Sequence, residues 1–362
     1  MIRIRTIAAA ALALSLTPAL SAGNVKIAVK HGSAIVTSQA KPIALTLDMG
    51  AVPGQLDVTP GSGTTVNGAA GAASFTGVVK DLRIDLRRGS SNVIVVTNFA
   101  LQRDVVLLGG VHTDIVTIQD GAAGRDMKID LGEGANVMSL MNLTAARRLR
   151  VAGGRGADIW SMTNSGADGS VTFDLGDAHF ANNSLAITNS GSSTGKLVIH
   201  GGVDDDHVTM NNSGFKSGRL VLGGGDNEFD STAAGFTKSF RMTTGAGADS
   251  FDATAFGATG ANHVSLGGGA NDCAWHGPVS VGSVDVKSGA GADLFVLDVL
   301  TTSGRIGVDA GAGANQVTVT NCVVNGDLRV HTGNGADTLN VTGNTVLGST
   351  KLKHGKGADV VN

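Results

Sequence analysis

The sequence predicts an all-β protein: a parallel β-solenoid of about 12 coils, 22 residues to the coil, with an N-terminal β cap. Three observations carry this. The first is a register of glycines. The glycine that opens a GxGA[DN]-type motif stands at 132, 154, 176, 201, 223, 245, 267, 289, 311, 333 and 355, a step of 22 broken once, by 25 between 176 and 201. The second is the pattern between glycines, where apolar and polar residues alternate over short stretches bounded by Gly and Asn, as strands do. The third is composition. With 54 Gly, no Tyr and 4% aromatics there is little for a mixed globular core, yet 42% of the 362 residues are apolar. A single repeat cannot bury its apolar face, so the repeats must stack on one continuous core.

In chain order, residues 1–22 come first. Arg3 and Arg5, an apolar run from Ile7 to Leu16 and the small-residue exit Ala19-Leu20-Ser21-Ala22 have the layout of a secretory signal peptide. The expectation is an exported protein, extracellular, at the cell surface or periplasmic. No second apolar run is long enough to span a membrane. Residues 23–87 do not keep the 22-residue register and are expected to form the N-terminal β cap, with "GTTVNG" at 63–68 as a tight turn. Residues 88–362 are the solenoid, beginning with two degenerate repeats that end in Asn92 and Asp114.

Within each repeat, one inward column runs Ile94, Val116, Met138, Trp160, Phe229, Phe251, Cys273, Phe295, Val317, Leu339. Two residues on, a second runs Val96, Ile118, Leu140, Met162, Trp275, Leu297, Val319, Val341. Each repeat therefore holds two or three short strands. Cys273 and Cys322 fall in different columns two coils apart, too far for a disulfide, and are expected as buried free thiols.

The last motif residue alternates between Asn and Asp: Asn92, Asp114, Asn136, Asp158, an Asn at 182 or 183, an Asp among 204–206, then Asn227, Asp249, Asn271, Asp293, Asn315, Asp337 and finally Asp359. Stacked carboxylates about 5 Å apart repel. An Asn between them removes that and supplies amide donors to the carboxylates above and below. The alternation thus predicts a hydrogen-bonded ladder. A second ladder is expected where "TN" closes the first strand, at Asn98, Asn164, Asn189 and Asn321, with Asn142 and Asn212 in the same column.

The stretches "GGGDNEF", "GAGADSF" and "GAGADLF" resemble the GGxGxD nonapeptide repeats of calcium-binding, toxin-type solenoids. That resemblance implies calcium at the corners. Those repeats recur every nine residues, whereas this motif recurs every 22 and half its copies carry Asn. More broadly, the chain looks like exported bacterial β-helix repeat proteins.

The alternation is disturbed by one acidic group, Asp204, Asp205, Asp206, Asp226, Glu228, Asp230 and Asp252. Asp230 and Asp252 share an outward column one coil apart. Carboxylates stacked so closely raise a pKa or hold a cation, so Asp204, Asp205, Asp226, Glu228, Asp230 and Asp252 are the calcium candidates. A solvated acidic face and a catalytic carboxylate pair are the competing readings. His207 beside them is assigned to a core column. Net charge of −3 without a Lys/Arg block points away from nucleic acid. No nucleophile–His–Asp order, zinc spacing or P-loop occurs, and short loops leave no walls for an enzyme groove. The expected function is a secreted structural or adhesive protein without catalytic activity and with no required cofactor, facing a polysaccharide or cell-surface partner. The alternatives are a carbohydrate-active lyase or hydrolase using residues 204–252, and a calcium-dependent binding module. The chain stops in mid-coil at "GKGADVVN", which leaves strand edges for self-association.

Overall fold

The computed structural model describes residues 23–39, 41–50, 52–177 and 182–362. The signal-peptide expectation for 1–22 lies outside the described residues. So does most of the insertion behind the 25-residue step. The fold is an all-β parallel solenoid of about 13 turns, roughly 22 residues apart.

Each coil has three faces, built in the same order. In one coil these are the strands Ile159–Thr163, Gly166–Ala167 and Ser170–Asp174; seven coils later they are Gln316–Thr320, Val323–Val324 and Leu328–His331. In other coils a strand runs round a corner, as Val137–Ala145 does across the first two faces. Neighbouring coils pair in parallel with a fixed offset, Val137 beside Ile159 and Leu328 beside Thr350. The offset becomes 25 where Ile159 pairs with Ser184, is 23 and then 21 in the next two coils, and is 22 again from Glu228 and Ser250 onward. The period-two pattern does what it predicts. Both inward columns are buried, with only Val341, near the end, partly so.

The interior is one continuous apolar column. Its widest filling is aromatic: Phe229, Phe236, Phe240, Phe251, Phe256 and Trp275 touch one another with ring centroids about 5–6 Å apart. Both tryptophans are inside. Trp275 donates its indole N–H to the Phe256 carbonyl at 2.8 Å. Cys273 and Cys322 are free and buried as expected, and burial pushes both thiols up.

Corners stack as tightly as strands. At Gly267 an added Cβ would stand 1.3 Å from the Gly245 carbonyl oxygen of the previous coil, so that corner admits no side chain. The corner between first and second faces is a left-handed residue in coil after coil. Asn98, Asn142, Asn164, Asn189, Asn212 and Asn321 have φ of 45–56°, as the "TN" column predicts. Asp120, Ala233, Ala255 and Val299 take the same conformation with φ of 50–59°. Beside this column runs a buried serine ladder that the sequence reading omits: Ser165 N–H donates to Ser190 Oγ, and Ser190 N–H to Ser213 Oγ, both at 3.1 Å.

At the N-terminal end, Gly23–Lys30 and Ser33–Ser38 form an antiparallel hairpin, and Ala44–Asp48 pairs antiparallel with Gln55–Pro60. Ser33–Ser38 and Ala44–Asp48 also pair in parallel with Asp81–Asp85 and Val93–Leu101, extending the stack. The "GTTVNG" turn is corrected. Thr64–Val66 is a strand paired in parallel with Gly23–Lys30, and the chain turns on either side of it, at Gly63 and at Asn67 and Gly68. The β-branched Thr-Thr-Val run favours an extended backbone, and the sequence window was too short to reveal its partner.

Candidate functional site: the corner ladder and the acidic first face

The Asn/Asp corner ladder is real and buried, from Asn92 to Asp337 at no more than 2% exposure. The ambiguous members resolve as Asn183 and Asp206. From Asn92 to Asp337 the backbone N–H of a rung donates to the side-chain Oδ1 of the rung in the following coil, as Asn92 to Asp114 at 3.0 Å, Asp114 to Asn136 at 2.9 Å, Asn227 to Asp249 at 3.1 Å and Asp249 to Asn271 at 3.0 Å, except at Asn183, whose N–H donates to the Asp205 carbonyl at 3.1 Å. The amides of Asn92, Asn183, Asn227 and Asn271 also donate to the next Asp, at 2.7–3.0 Å. The expectation of amide bonds both above and below is corrected here. The other amide contacts go to glycine carbonyls of the same corner, such as Asn136 to Gly134 at 2.9 Å, and in Asn271 to Ser288 Oγ at 2.8 Å.

This leaves the second carboxylate oxygen to be housed elsewhere, and a further alternating column does so. The residue that enters each corner is Leu86, Leu131, Leu175, Leu222, Leu266 or Ala310 where the rung is Asn. Where the rung is Asp it is Gly109, Gly153, Gly201, Thr244, Ser288, Thr332 or His354. The reason is steric and polar. A Cβ at Gly153 or Gly201 would lie 1.9 or 1.8 Å from Oδ2 of Asp158 or Asp206. Thr244 Oγ1 instead donates to Asp249 Oδ2 at 2.6 Å, and His354 Nδ1 lies 3.0 Å from Asp359 Oδ2, whereas beside Ser288 and Thr332 the Oδ2 of Asp293 and Asp337 has no hydrogen bond. The structural repeat is therefore two coils. Where glycine leaves Oδ2 of Asp158 without a partner, burial pushes the carboxyl up to about 7. Burial also raises Asp206, to about 6, and Asp114.

The six calcium candidates divide into two groups on either side of the ladder. Asp204, Asp205 and Asp226 lie in the corner turn. Asp205 Oδ1 accepts the Asp226 N–H and Asp226 Oδ1 accepts the Ala248 N–H, each at 2.7 Å, so these carboxylates tie one coil to the next. With Asp206 as the rung, it is Asp205 rather than Asp204 that shares the column of Asp226 and Ala248. Glu228, Asp230 and Asp252 lie on the first face, where Asp230 pairs with Asp252 in adjacent strands. Burial, then Glu228, raises the Asp230 carboxyl, against the opposing pull of His207; Asp252 adds to the rise.

His207 belongs to this group, and its assignment to the core is corrected. With Asp206 as the rung, the inward position is Val208, and His207 points outward beside Glu228. Its Nδ1 is 2.7 Å from Glu228 Oε2; its Nε2 is 2.9 Å from Thr209 Oγ1 and 4.0 Å from Asp230 Oδ2. Ligand atoms of His207, Glu228 and Asp230 all lie within 4.8 Å of one another, near enough to share one cation. One coil beyond Asp252's neighbours, Asp272 extends the acidic surface, its carboxyl raised by burial and then by Asp252.

Across the outward positions of the first face, from Val93 to Thr342, there is neither Lys nor Arg among the described residues. A concavity of about 900 Å³ runs elsewhere, along the second face of five coils, from Ala100 through Ala122, Thr144 and Gly166 to Ser192. Asp168 is the one ionisable side chain lining it. Comparison of the chain with protein-family models, with curated proteins and with solved structures gives no match in any of the three.

Proposed function

We propose that this chain is an exported structural or adhesive rod that binds through its faces and catalyses no reaction, with a polysaccharide or cell-surface partner. Export rests on the signal-like residues 1–22. The observation that carries the rest is the separation of carboxylates from concavity. General acid–base cleavage of a sugar chain needs two positioned carboxyls, or a carboxyl and a cation, around a bound substrate. Here the carboxylates stand on a strand face whose described outward positions hold no Lys or Arg, and the concavity on the second face is lined by one exposed carboxylate. Incubating the full chain with insoluble and soluble acidic and neutral polysaccharides tests this. Co-sedimentation without release of new reducing or unsaturated ends supports the reading. Cleavage that disappears in Asp230→Asn/Asp252→Asn overturns it.

The His207–Glu228–Asp230 grouping favours a second reading, a cation-dependent binding module. Its nitrogen donor suits zinc-like ions, while the added carboxylate of Asp252 suits calcium. A cation bound only by the folded chain raises the unfolding midpoint. Melting with millimolar calcium, with zinc and with excess chelator separates the readings. A rise of several degrees that is lost in His207→Ala or Asp230→Asn establishes the module; superimposable curves remove it.

A further inference from the structure

The faces of the rod carry opposite charge at the same height. On the third face, one outward column runs Arg219, Arg241, His263 in adjacent, directly paired strands. Lys216 and Lys238 flank it at the preceding corner. Arg219 and Arg241 are exposed, stand one coil apart, and have no acidic partner within 4 Å among the described residues. Two arginines on strands roughly 4.8 Å apart put like charges side by side, and an anionic partner would relieve that repulsion. On the first face, Glu228 and Asp230 stand in the coil of Arg241 and Asp252 in the coil of His263, with Asp272 one coil further, and like charges stack there too.

We infer that these two surfaces are the two halves of one interface, and that the partner is a second copy of this chain lying alongside. Both columns have the spacing of the coil, so parallel rods keep every charge in step. A shift of one coil sets Arg219 opposite Asp230 and Arg241 opposite Asp252. An anionic glycan would satisfy the arginines but leave the carboxylates stacked; a second rod relieves both columns at once. The contact joins different faces, so it is heterologous. Each added rod presents a fresh face of each sign, and the assembly grows sideways rather than closing as a pair. Charge complementarity of this kind sets register and partner, and it weakens with salt. The inference rests on the reading of the chain as a structural rod.

The test is sedimentation of the full chain over a range of concentration and salt, with circular dichroism as a check of fold. Wild type is expected to gain mass with concentration at low salt and to return to monomer at about 0.5 M salt, where screening reaches only a few ångströms. Arg219→Glu/Arg241→Glu and Asp230→Lys/Asp252→Lys are each expected to remain monomeric alone and to associate when mixed. Wild type that stays monomeric at low salt and high concentration overturns the inference, as does association that neither double variant changes. An acidic polysaccharide captured by wild type but not by Arg219→Glu/Arg241→Glu, without self-association, also overturns it and assigns the basic face to a glycan. None of these results concerns catalysis, so polysaccharide cleavage remains the separate test of the non-catalytic reading.

Discussion

At the scale of single residues, the corner ladder shows how a buried carboxylate is made tolerable. Its Oδ1 is committed to the preceding rung, so its stability hinges on what faces Oδ2. At Asp158 that is glycine and no hydrogen-bond donor. Between the ordinary carboxylate value near 4 and the folded value of about 7, the folded chain keeps a proton that the unfolded chain has released. Stability from this group therefore falls as pH rises through that window and is level above it, a loss of roughly 2–4 kcal/mol. Asp158→Asn is neutral at every pH and retains the Oδ1 acceptor. It is expected to be more stable than wild type by about 1–3 kcal/mol at pH 8, the advantage disappearing near pH 4. Urea unfolding at the two pH values measures this; an equal effect at both would mean that Asp158 does not titrate in the window.

At the scale of elements, the strands and corners were legible to different degrees. The strands announce themselves because burial on one side imposes a period of two. The left-handed corner was legible only where Asn marks it. Ala233, Ala255 and Val299 hold the same conformation with residues that do not favour it, because neighbouring coils impose the turn. His207 was misplaced because three consecutive aspartates concealed the rung, and one step in register exchanges the faces of a strand. Val299 is the most strained of these corners, a β-branched residue with φ of 59°. Val299→Asn is expected to stabilise the protein by about 1 kcal/mol. A thermal or urea midpoint that does not rise would mean that the valine side chain makes compensating contacts at the corner.

At the scale of the whole molecule, the rod is quasi-one-dimensional, each coil bonded chiefly to its two neighbours. The chain provides its own probes. Trp160 and Phe251 occupy the same inward column four strands apart, and Trp275 touches Phe251 with ring centroids 5.0 Å apart. Phe251→Ala is expected to cost about 3–5 kcal/mol around its own coil. In single-tryptophan variants, Trp160→Phe and Trp275→Phe, wild-type midpoints are expected to coincide. With Phe251→Ala added, the Trp275 signal should be lost at lower urea than the Trp160 signal. Midpoints that fall together would show the rod to be one cooperative unit. The overall architecture was legible because glycine marks every coil. The corner-entry column was not, because its alternation of leucine with glycine, threonine or serine repeats over two coils, and alignment on one coil averages it away. That longer period constrains inheritance. A duplication or deletion of 44 residues reproduces every rung and its housing, whereas one of 22 sets Asn on Asn or Asp on Asp at the junction. Asp337 and Asp359 make such a junction, beside Thr332 and His354. A lineage of this protein can therefore keep the ladder intact only by changing length two coils at a time, and the Asp337–Asp359 step is a place where that rule is broken.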